Sequence, residues 1–489
     1  MAWDHGFEVA FHPRAVAVVG ASGRSEARFH GGAFIHNLRN QGFSGRIYPV
    51  NPQASEVSGL KAYPSLAALP EPVDLVIISV PAPGVPQVLE ECVAVGDKNI
   101  HIFAAGFSET GEPEGIELER RIKEIAQRGK LRVLGPNCMG LHVPAARFST
   151  FYPEATKPGP VAFIAQSGGH CIQFTRYAHG FGIGFSKVVS YGNAALTDST
   201  DLLEYFATDE ETRIITTYIE GVKDGSKLLR QIKDINRSKP VIVWKGGLTA
   251  SGSRAASSHT GSLTGSEVVW QAFFKQTGAV SVASLDDLAD VTMTFLYLRP
   301  PRGRRVAVIL GGGGHSVTTA DFCSREGMEM PVLTDASRKA LRAFVPVAGT
   351  SIKNPLEFEA AQRDLGVLRR MLEIVAADPM VDLLMVNPHL DMLKETGPDE
   401  IAKTGDFLCR FARENPQKPL VAVLETWGGD PAVSRAREQL RVELAQAGSV
   451  VYRTMPRAFR ALSKFIGYHE FLTASQNASQ STEGSAQIS

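Results

Sequence analysis

The run Ala15-Val16-Ala17-Val18-Val19-Gly20-Ala21-Ser22-Gly23 decides the fold. Five small or β-branched apolar residues without polar alternation read as a strand buried on both faces, which means a parallel sheet covered by helices. The glycine turn after it is where such a sheet meets a phosphorylated ligand, because bare N–H groups at a helix N-terminus favour an anion. Gly20, Ala21, Ser22 and Gly23 are therefore candidate contacts. The dinucleotide fingerprint G-x-G-x-x-G is incomplete. The second strand, Arg46-Ile47-Tyr48-Pro49-Val50, ends in Asn51-Pro52 where a nicotinamide dinucleotide would want an acidic residue for its ribose hydroxyls.

Working outward, short apolar runs alternate with longer amphipathic ones in three blocks, the mark of an α/β protein. The first block continues through Leu75–Ser79, Ile100–Phe103 and Arg132–Leu134. Turns follow these strands at Val80-Pro81, Ala104-Ala105-Gly106 and Gly135-Pro136-Asn137, all at one crevice. Their small residues suit a long, narrow arm approaching the backbone. Arg24 and Arg28 could meet phosphates or lie on a solvated helix face. The second block contains Gly159–Ile164, Ile214–Ile219 and Pro240–Trp244; the third contains Arg305–Leu310, Val381–Val386 and Leu420–Leu424. Proline and charge interrupt the pattern near Pro144 and at Arg299–Gly303, which gives domains at 1–145, 146–298 and 299–474. The polar stretch 475–489 reads as a disordered tail.

Composition excludes several classes. The 489 residues are 44% hydrophobic and 21% charged, ordinary for a globular protein with large cores. Lys plus Arg and Asp plus Glu number 51 each, so no net field recruits nucleic acid or an anionic membrane. The five cysteines show neither C-x-x-C nor metal spacing, so no metal site is expected. With no signal peptide and no long apolar run, a cytoplasmic location is the expectation.

One histidine carries the chemistry of the second block. Ser257-Ser258-His259-Thr260-Gly261-Ser262 reads as a loop of small residues ahead of an amphipathic helix at Ser266–Phe274. Imidazole is nucleophilic at neutral pH, so His259 can accept a phosphoryl group and pass it on. Glu220 ends an apolar strand, where a carboxylate can fix an imidazole tautomer. Gln166-Ser167-Gly168-Gly169 joins a strand to a helix and offers an anion cradle, to which Gly261 can add.

In this order, Val19-Gly20-Ala21-Ser22, Tyr48-Pro49-Val50-Asn51-Pro52, Gly135-Pro136-Asn137, Ala165–Gly169, Ser190-Tyr191-Gly192-Asn193, Asp201–Tyr205, Tyr218–Gly225, Lys245-Gly246-Gly247 and Ser258-His259-Thr260-Gly261 resemble the α-type subunit of the NDP-forming acyl-CoA synthetases, the succinyl-CoA synthetase superfamily. The resemblance covers nearly the whole chain. It implies a Rossmann-like CoA-binding domain followed by two flavodoxin-like ligase domains. CoA would lie against Gly20–Gly23, Asn51, Val80, Pro81, Ala104–Gly106 and Asn137, with phosphate at Gln166–Gly169 and Gly261. His259 is the implied phosphohistidine, and Glu220 its orienting carboxylate. The implied activity is an ADP-forming acid–CoA ligase, interconverting acyl-CoA, ADP and phosphate with a carboxylic acid, CoA and ATP, with Mg2+ accompanying the nucleotide.

No Walker A loop, G-x-x-x-x-G-K-[ST], is present. The resemblance then implies a separate ATP-grasp β subunit, in an α2β2 assembly. The chain departs from the family pattern at His170-Cys171-Ile172 and at His315 within Gly311–Ser316. His170 is open between lining an acyl pocket and packing, and His315 reads as a loop or domain-interface residue. Two other readings stand beside the ligase: a non-catalytic CoA- or acyl-CoA-binding regulator of the same fold, and a dinucleotide-dependent oxidoreductase. The pairing of His259 with Glu220 argues against the first, and Asn51 against the second.

Overall fold

The computed structural model describes residues 6–22, 31–152, 157–260 and 265–486, with side chains outside the description at 257–260 and 478–486. The chain divides into two compact units: residues up to 179 with 183–283, and 180–182 with 284 onward. The first unit holds two large sheets and a separate two-stranded one.

The first sheet follows a short helix α1 (Gly6–Phe11) and is built from β1 (Ala15–Val19), α2 (Gly31–Asn40), β2 (Arg46–Val50), a hairpin of β3 (Glu56–Val57) and β4 (Leu60–Lys61), β5 (Leu75–Ile78), α3 (Val85–Val95), β6 (Asn99–Ile102), α4 (Pro113–Gly129) and β7 (Arg132–Leu134). Its order is β2-β1-β5-β6-β7, all parallel. Every residue of β1 is buried, each large aliphatic contributing about 1.5–3 kcal/mol by leaving water. Because β2 and β5 flank β1 on opposite sides, the strand order reverses at β1. The loops after β1 and β5 splay apart there and open a crevice at the strands' carboxyl ends.

Residues 140–143 pair antiparallel with the second sheet. That sheet comprises β8 (Gly140–Val143), β9 (Phe148–Ser149), β10 (Pro158–Ala165), α5 (Gly168–Gly180), β11 (Phe185–Ser190), α6 (Ser199–Thr208), β12 (Ile214–Ile219), α7 (Gly225–Ile235), β13 (Val241–Lys245), α8 (Ala250–Thr260), α9 (Glu267–Thr277) and β14 (Val280–Val282). The order is β14-β13-β12-β10-β11-β8-β9. Its five parallel strands repeat the first sheet's topology, now with the reversal at β10. Asp198 caps α6 by accepting from Thr200 N at 2.7 Å while Asp201 accepts from Asp198 N at 3.0 Å, so the motif Asp201–Tyr205 starts a helix at a fixed place. One continuous apolar core joins the sheets, from Val16, Val18 and Ile77 to Leu141, Phe148, Ile164 and Tyr191.

The second unit contains α10 (Leu285–Tyr297), β15 (Val306–Leu310), α11 (Gly313–Arg325), α12 (Asp335–Arg342), β16 (Leu356–Glu357), α13 (Leu365–Ala377), β17 (Leu383–Val386), α14 (Leu390–Thr396), α15 (Glu400–Glu414), β18 (Leu420–Val423), α16 (Pro431–Gln446), β19 (Val450–Tyr452) and α17 (Met455–Ala486). Its parallel sheet, β16-β15-β17-β18-β19, has the same order again. α10 belongs to this unit, whose main segment begins at Ser284. α17 packs on α10 through Arg457, whose guanidinium grips Asp290 at 2.6 and 3.0 Å. The stretch 475–486, expected as a disordered tail, continues the α17 backbone as helix; it carries no proline, and its alanines, glutamines and glutamate suit a helix. Residues 487–489 lie outside the described residues.

Candidate functional site

The glycine turn after β1 is held by the residue that stands where a dinucleotide site would carry an acid. Asn51 Nδ2 donates to the Ala21 carbonyl at 2.7 Å, and its Oδ1 accepts from Gln53 N at 2.8 Å. Asn51 thus shapes the turn. Gly20 has φ +84, and a Cβ there would come within 2.9 Å of Val80 Cγ1 and 3.0 Å of the Ser79 carbonyl carbon, so glycine lets the β1 and β5 turns approach. Gly106 (φ +108) and Asn137 (φ +57) bend the turns after β6 and β7. Gly23 lies outside the described residues.

Two predicted clusters meet. Ala105 and Asn137 from the first sheet, and Gln166, Ser167, Gly168 and Gly169 from the second, line one cavity of about 510 Å3. Gly20, Ala21, Ser22, Asn51, Val80, Pro81, Ala104 and Gly106 are not among its walls. The junction is pinned by polar bonds: Asn137 Nδ2 donates to Asn193 Oδ1 at 3.3 Å, and Asn193 Nδ2 donates to Glu109 at 2.5 Å and Glu119 at 3.2 Å. Burial opposes the charge on Glu119, but Lys123, Ser108 and Asn193 together hold its carboxyl below the usual carboxylate range. Asn193 N and Ala195 N also donate to the Pro136 and Gly135 carbonyls at 3.0 and 3.1 Å.

At the turn after β10, Gly168 and Gly169 begin α5, so their N–H groups have no acceptor within the helix, a position that favours an anion. A Cβ on Gly168 would lie 2.6 Å from Met139 Cγ. Gln166 does more than line the cavity. Its Oε1 accepts from Glu220 N at 2.9 Å and Gly221 N at 3.2 Å, tying the turn after β10 to the end of β12.

Glu220 is 7% exposed and accepts from the Tyr218 hydroxyl at 3.1 Å. Lys245, at the end of β13, donates to the Glu220 carbonyl at 2.7 Å and lies 5.2 Å from the Trp270 ring centroid. Burial pushes the Lys245 ammonium down to about 8, with Glu220 opposing. The backbone through His259 closes α8 rather than forming a loop, as alanines and Arg254 favour helix among the serines. The His259 side chain and Gly261 lie outside the described residues. α9 forms as expected, with Ser266 Oγ accepting from Val269 N at 3.4 Å.

The two departures resolve differently. His170 is not a cavity wall: its ring packs on Tyr218 and Trp244 at 4.3 and 4.5 Å, with Nδ1 3.0 Å from Gln173 Oε1. His315 lies in the first turn of α11 rather than in a loop, its Nε2 3.3 Å from Glu425 Oε2. Reading the sequence missed the apolar walls of the cavity, Phe103, Cys138, Met139 and Ile172. The turns that carry three of them were visible, but their convergence was not.

Turns of the Rossmann-like first sheet thus share one cavity with the glycine turn of the flavodoxin-like second sheet. Residues 14–144 match the CoA binding domain family, and residues 158–295 match the succinyl-CoA ligase like flavodoxin domain family. The chain is 38% identical over 416 residues to the α subunit of acetate–CoA ligase (ADP-forming) II of Pyrococcus furiosus, covering 84% of this chain and 88% of that one. It is 39% identical over 395 residues to acetate–CoA ligase (ADP-forming) I of Archaeoglobus fulgidus, covering 79% of this chain but only 56% of that longer protein. The dinucleotide-forming acetyl-coenzyme A synthetase 1 of Ca. Korarchaeum cryptofilum, solved with phosphate and ADP, superposes with a TM-score of 0.80 at 32% identity, covering 96% of this chain and 98% of that one. The chain belongs to the NDP-forming acyl-CoA synthetases of the succinyl-CoA synthetase superfamily. Among the described residues, no helix is long and apolar enough to cross a membrane, and no group of three His, Cys, Asp or Glu could hold a metal.

Proposed function

We propose that this chain is the CoA-binding, phosphohistidine-carrying α part of an ADP-forming acid–CoA ligase. The observation that carries the proposal is the single cavity shared by the first sheet's turns and the phosphate turn, which Gln166 ties to Glu220. CoA lies along the turns at Gly20–Gly23, Asn51, Val80-Pro81 and Ala104–Gly106, with its thiol end toward Asn137. Glycines that admit close backbone approach at Gly20 and Gly106 fit that role.

Orthophosphate, held by the N–H groups of Ser167, Gly168 and Gly169, attacks the thioester carbonyl carbon. The C–S bond breaks, CoA leaves as thiolate and takes up a proton, and an acyl phosphate remains. An imidazole nitrogen of His259 then attacks phosphorus, the P–O bond to the acyl group breaks, and the carboxylate leaves. In the last step a terminal oxygen of ADP attacks phosphorus, the N–P bond breaks, and ATP forms. Glu220 accepts a hydrogen bond from the N–H of the other imidazole nitrogen, which fixes the tautomer and keeps the attacking nitrogen unprotonated. Most of the rate comes from positioning and from fixed dipoles around a transferring phosphoryl group.

Nucleotide and Mg2+ belong to a separate ATP-grasp β subunit, in an α2β2 complex within the cytoplasm. The α-subunit name of the Pyrococcus relative supports a partner, while the longer Archaeoglobus protein allows a fused one. The domains follow as a CoA-binding part, a phosphohistidine part and a second ligase part.

The test is acid-labile incorporation of phosphate from labelled ATP with the ATP-grasp partner and Mg2+. The wild type takes label that CoA and a carboxylic acid discharge, His259→Ala takes none, and Glu220→Gln labels about 10–100-fold more slowly, as when an imidazole loses its orienting partner. Absence of label on folded, partner-bound wild type refutes the ligase and leaves a CoA-binding regulator.

A further inference from the structure

Glu220 is held at three points. Its N–H donates to Gln166 Oε1 at 2.9 Å, its carbonyl accepts from Lys245 Nζ at 2.7 Å, and its carboxylate accepts from the Tyr218 hydroxyl at 3.1 Å. Strand register explains the grip. β12 lies between β10 and β13, and the last pairs are Ala165 with Tyr218 on one side and Ile219 with Lys245 on the other. Glu220 is therefore the first residue beyond the paired strand, flanked by Gln166 and Lys245. Lys245 is a lysine at the end of an apolar strand, after Val241-Ile242-Val243-Trp244, and is 5% exposed. Its Nζ also donates to the Gly246 carbonyl and lies 5.2 Å from the Trp270 ring centroid. The next position must be small: a Cβ on Gly246 would lie 2.5 Å from the Tyr218 hydroxyl oxygen, so glycine leaves that hydroxyl room beside Glu220. A buried ammonium is costly unless an opposite charge stands near it. Two carbonyls and an indole face solvate it but do not neutralise it, whereas the residue it grips carries a carboxylate.

Resting on the reading of Glu220 as the carboxylate that orients His259, we infer that Lys245 is a positioning residue for phosphoryl transfer. Its ammonium fixes the end of β12 through the Glu220 carbonyl and supplies the positive charge that lets the Glu220 carboxylate stand buried and ionised. Tyr218 sets the direction of one carboxylate oxygen. Lys245 thus acts through Glu220, as outer hydrogen bonds orient the partner of a working imidazole. The charge is lost within a measurable range, because burial pushes the Lys245 ammonium down to about 8 against the opposing effect of Glu220. Tyr218 stays neutral there, since burial pushes its hydroxyl up, and α9 presents the Trp270 ring to Nζ.

Two measurements test the inference. The first follows the rate of acid-labile labelling from labelled ATP, with the full chain, the ATP-grasp partner and Mg2+, across neutral and alkaline pH. Wild type should slow above about pH 8. Lys245→Met should label about 10–100-fold more slowly at pH 7, the usual cost of losing an outer orienting group, and should lack the alkaline fall. An alkaline fall that persists in Lys245→Met, or a wild-type rate at pH 7, overturns the inference and leaves the ligase intact. The second measurement needs no turnover: a double-mutant cycle read by urea unfolding of the full chain at pH 7. Glu220→Gln should lower the midpoint of wild type, where it strands the Lys245 charge. It should raise the midpoint of Lys245→Met, where it removes a buried carboxylate that has lost its cation. Equal shifts in both backgrounds overturn the inference. If wild type takes no label, the ligase reading fails, and opposite shifts still establish Lys245 as the charge partner of Glu220.

Discussion

Gly192 gives the sharpest test of how the two sheets of the first unit are held together. Its φ is +57, and a Cβ there would lie 2.2 Å from the Pro136 carbonyl oxygen, 2.4 Å from the Asn137 oxygen and 2.7 Å from the Asn137 carbonyl carbon. All three are backbone atoms, so no rotamer change relieves the clash. The loop cannot simply withdraw, because Asn193 N and Ala195 N donate to Pro136 and Gly135, and Asn137 N donates to the Ala104 carbonyl at 2.9 Å. Gly192→Ala therefore adds a left-handed side chain, roughly 1–2 kcal/mol, and an overpacking cost of about 1–3 kcal/mol. Loss of one of those backbone bonds adds about 1 kcal/mol, for a total near ~4 kcal/mol. Gly96→Ala is the control: φ is +89, yet nothing lies within 4 Å of its Cβ, so only the conformational cost of roughly 1–2 kcal/mol applies. Urea unfolding of the full chain at pH 7, followed by tryptophan fluorescence in a Trp427→Phe background that leaves only tryptophans of the first unit, reads the transition of that unit. Gly192→Ala should unfold well below Gly96→Ala and bind CoA thioesters more weakly, since Gly192 lines the cavity. Equal midpoints for the two variants would refute the claim that backbone contact at Gly192 fixes the junction.

Two other measurements follow from buried ionisable groups. His101 is fully buried with Nε2 3.1 Å from the Cys138 carbonyl, and burial pushes its pKa from 6.5 down to about 4 against that hydrogen bond. The unfolded chain therefore binds the proton first, so stability should fall by roughly 3 kcal/mol between pH 6.5 and 4 and level off below; His101→Gln should flatten that slope, and an unchanged slope would exclude His101 as its source. In the second unit Arg305 grips Asp382 at 2.9 and 2.7 Å; burial opposes the Asp382 charge, but Arg305 outweighs it and holds the carboxyl below its usual range. This stability is present above the unfolded pKa and is lost as pH falls through the folded one, so Asp382→Asn should lower Tm at pH 7 and match wild type in acid, and a Tm gap that persists in acid would argue against the ion pair.

The sequence disclosed most where burial is continuous and least where polar residues are buried in pairs. β1, β5 and β18 were legible because their apolar runs have no polar interruption, and β12 because Thr216, Thr217 and Tyr218 within it favour strand. β11, Phe185–Ser190, was not. Its Ser186 and Lys187 look like loop residues, yet both are buried, Ser186 against Thr212 at 2.7 Å and Lys187 between Asp209 and Glu211 at 3.0 and 2.6 Å. The strand β8, between β11 and β9, was missed for a similar reason, since it carries the buried His142. Serines around Ala250–Thr260 concealed a helix. Within the site, Gln166–Gly169, Glu220 and the Asn137 turn stood out because glycine turns and strand-end polar residues are local signals. The apolar wall did not, because Phe103, Met139 and Ile172 come together only through the packing of one sheet against the next.

That packing lets turns from two separate sheets line one cavity. Each sheet of the first unit reverses its strand order at its first long parallel strand and puts a glycine turn there, Gly20-Ala21-Ser22 after β1 and Gln166–Gly169 after β10. The cavity, however, is made by the first sheet's later turns, at Ala105 and Asn137, meeting the second sheet's glycine turn. Such a site works only if the two sheets hold a fixed register, because a 1 Å error between reacting atoms can cost about 100-fold in rate. A core that runs unbroken from Val16 and Ile77 to Ile164 and Tyr191 resists sliding, as interiors at crystal-like density have no room for it. The Asn137–Asn193–Glu109 bonds then set the angle at the cavity mouth. The polar residues at this junction thus hold the turns after β6 and β7 against the turn after β11.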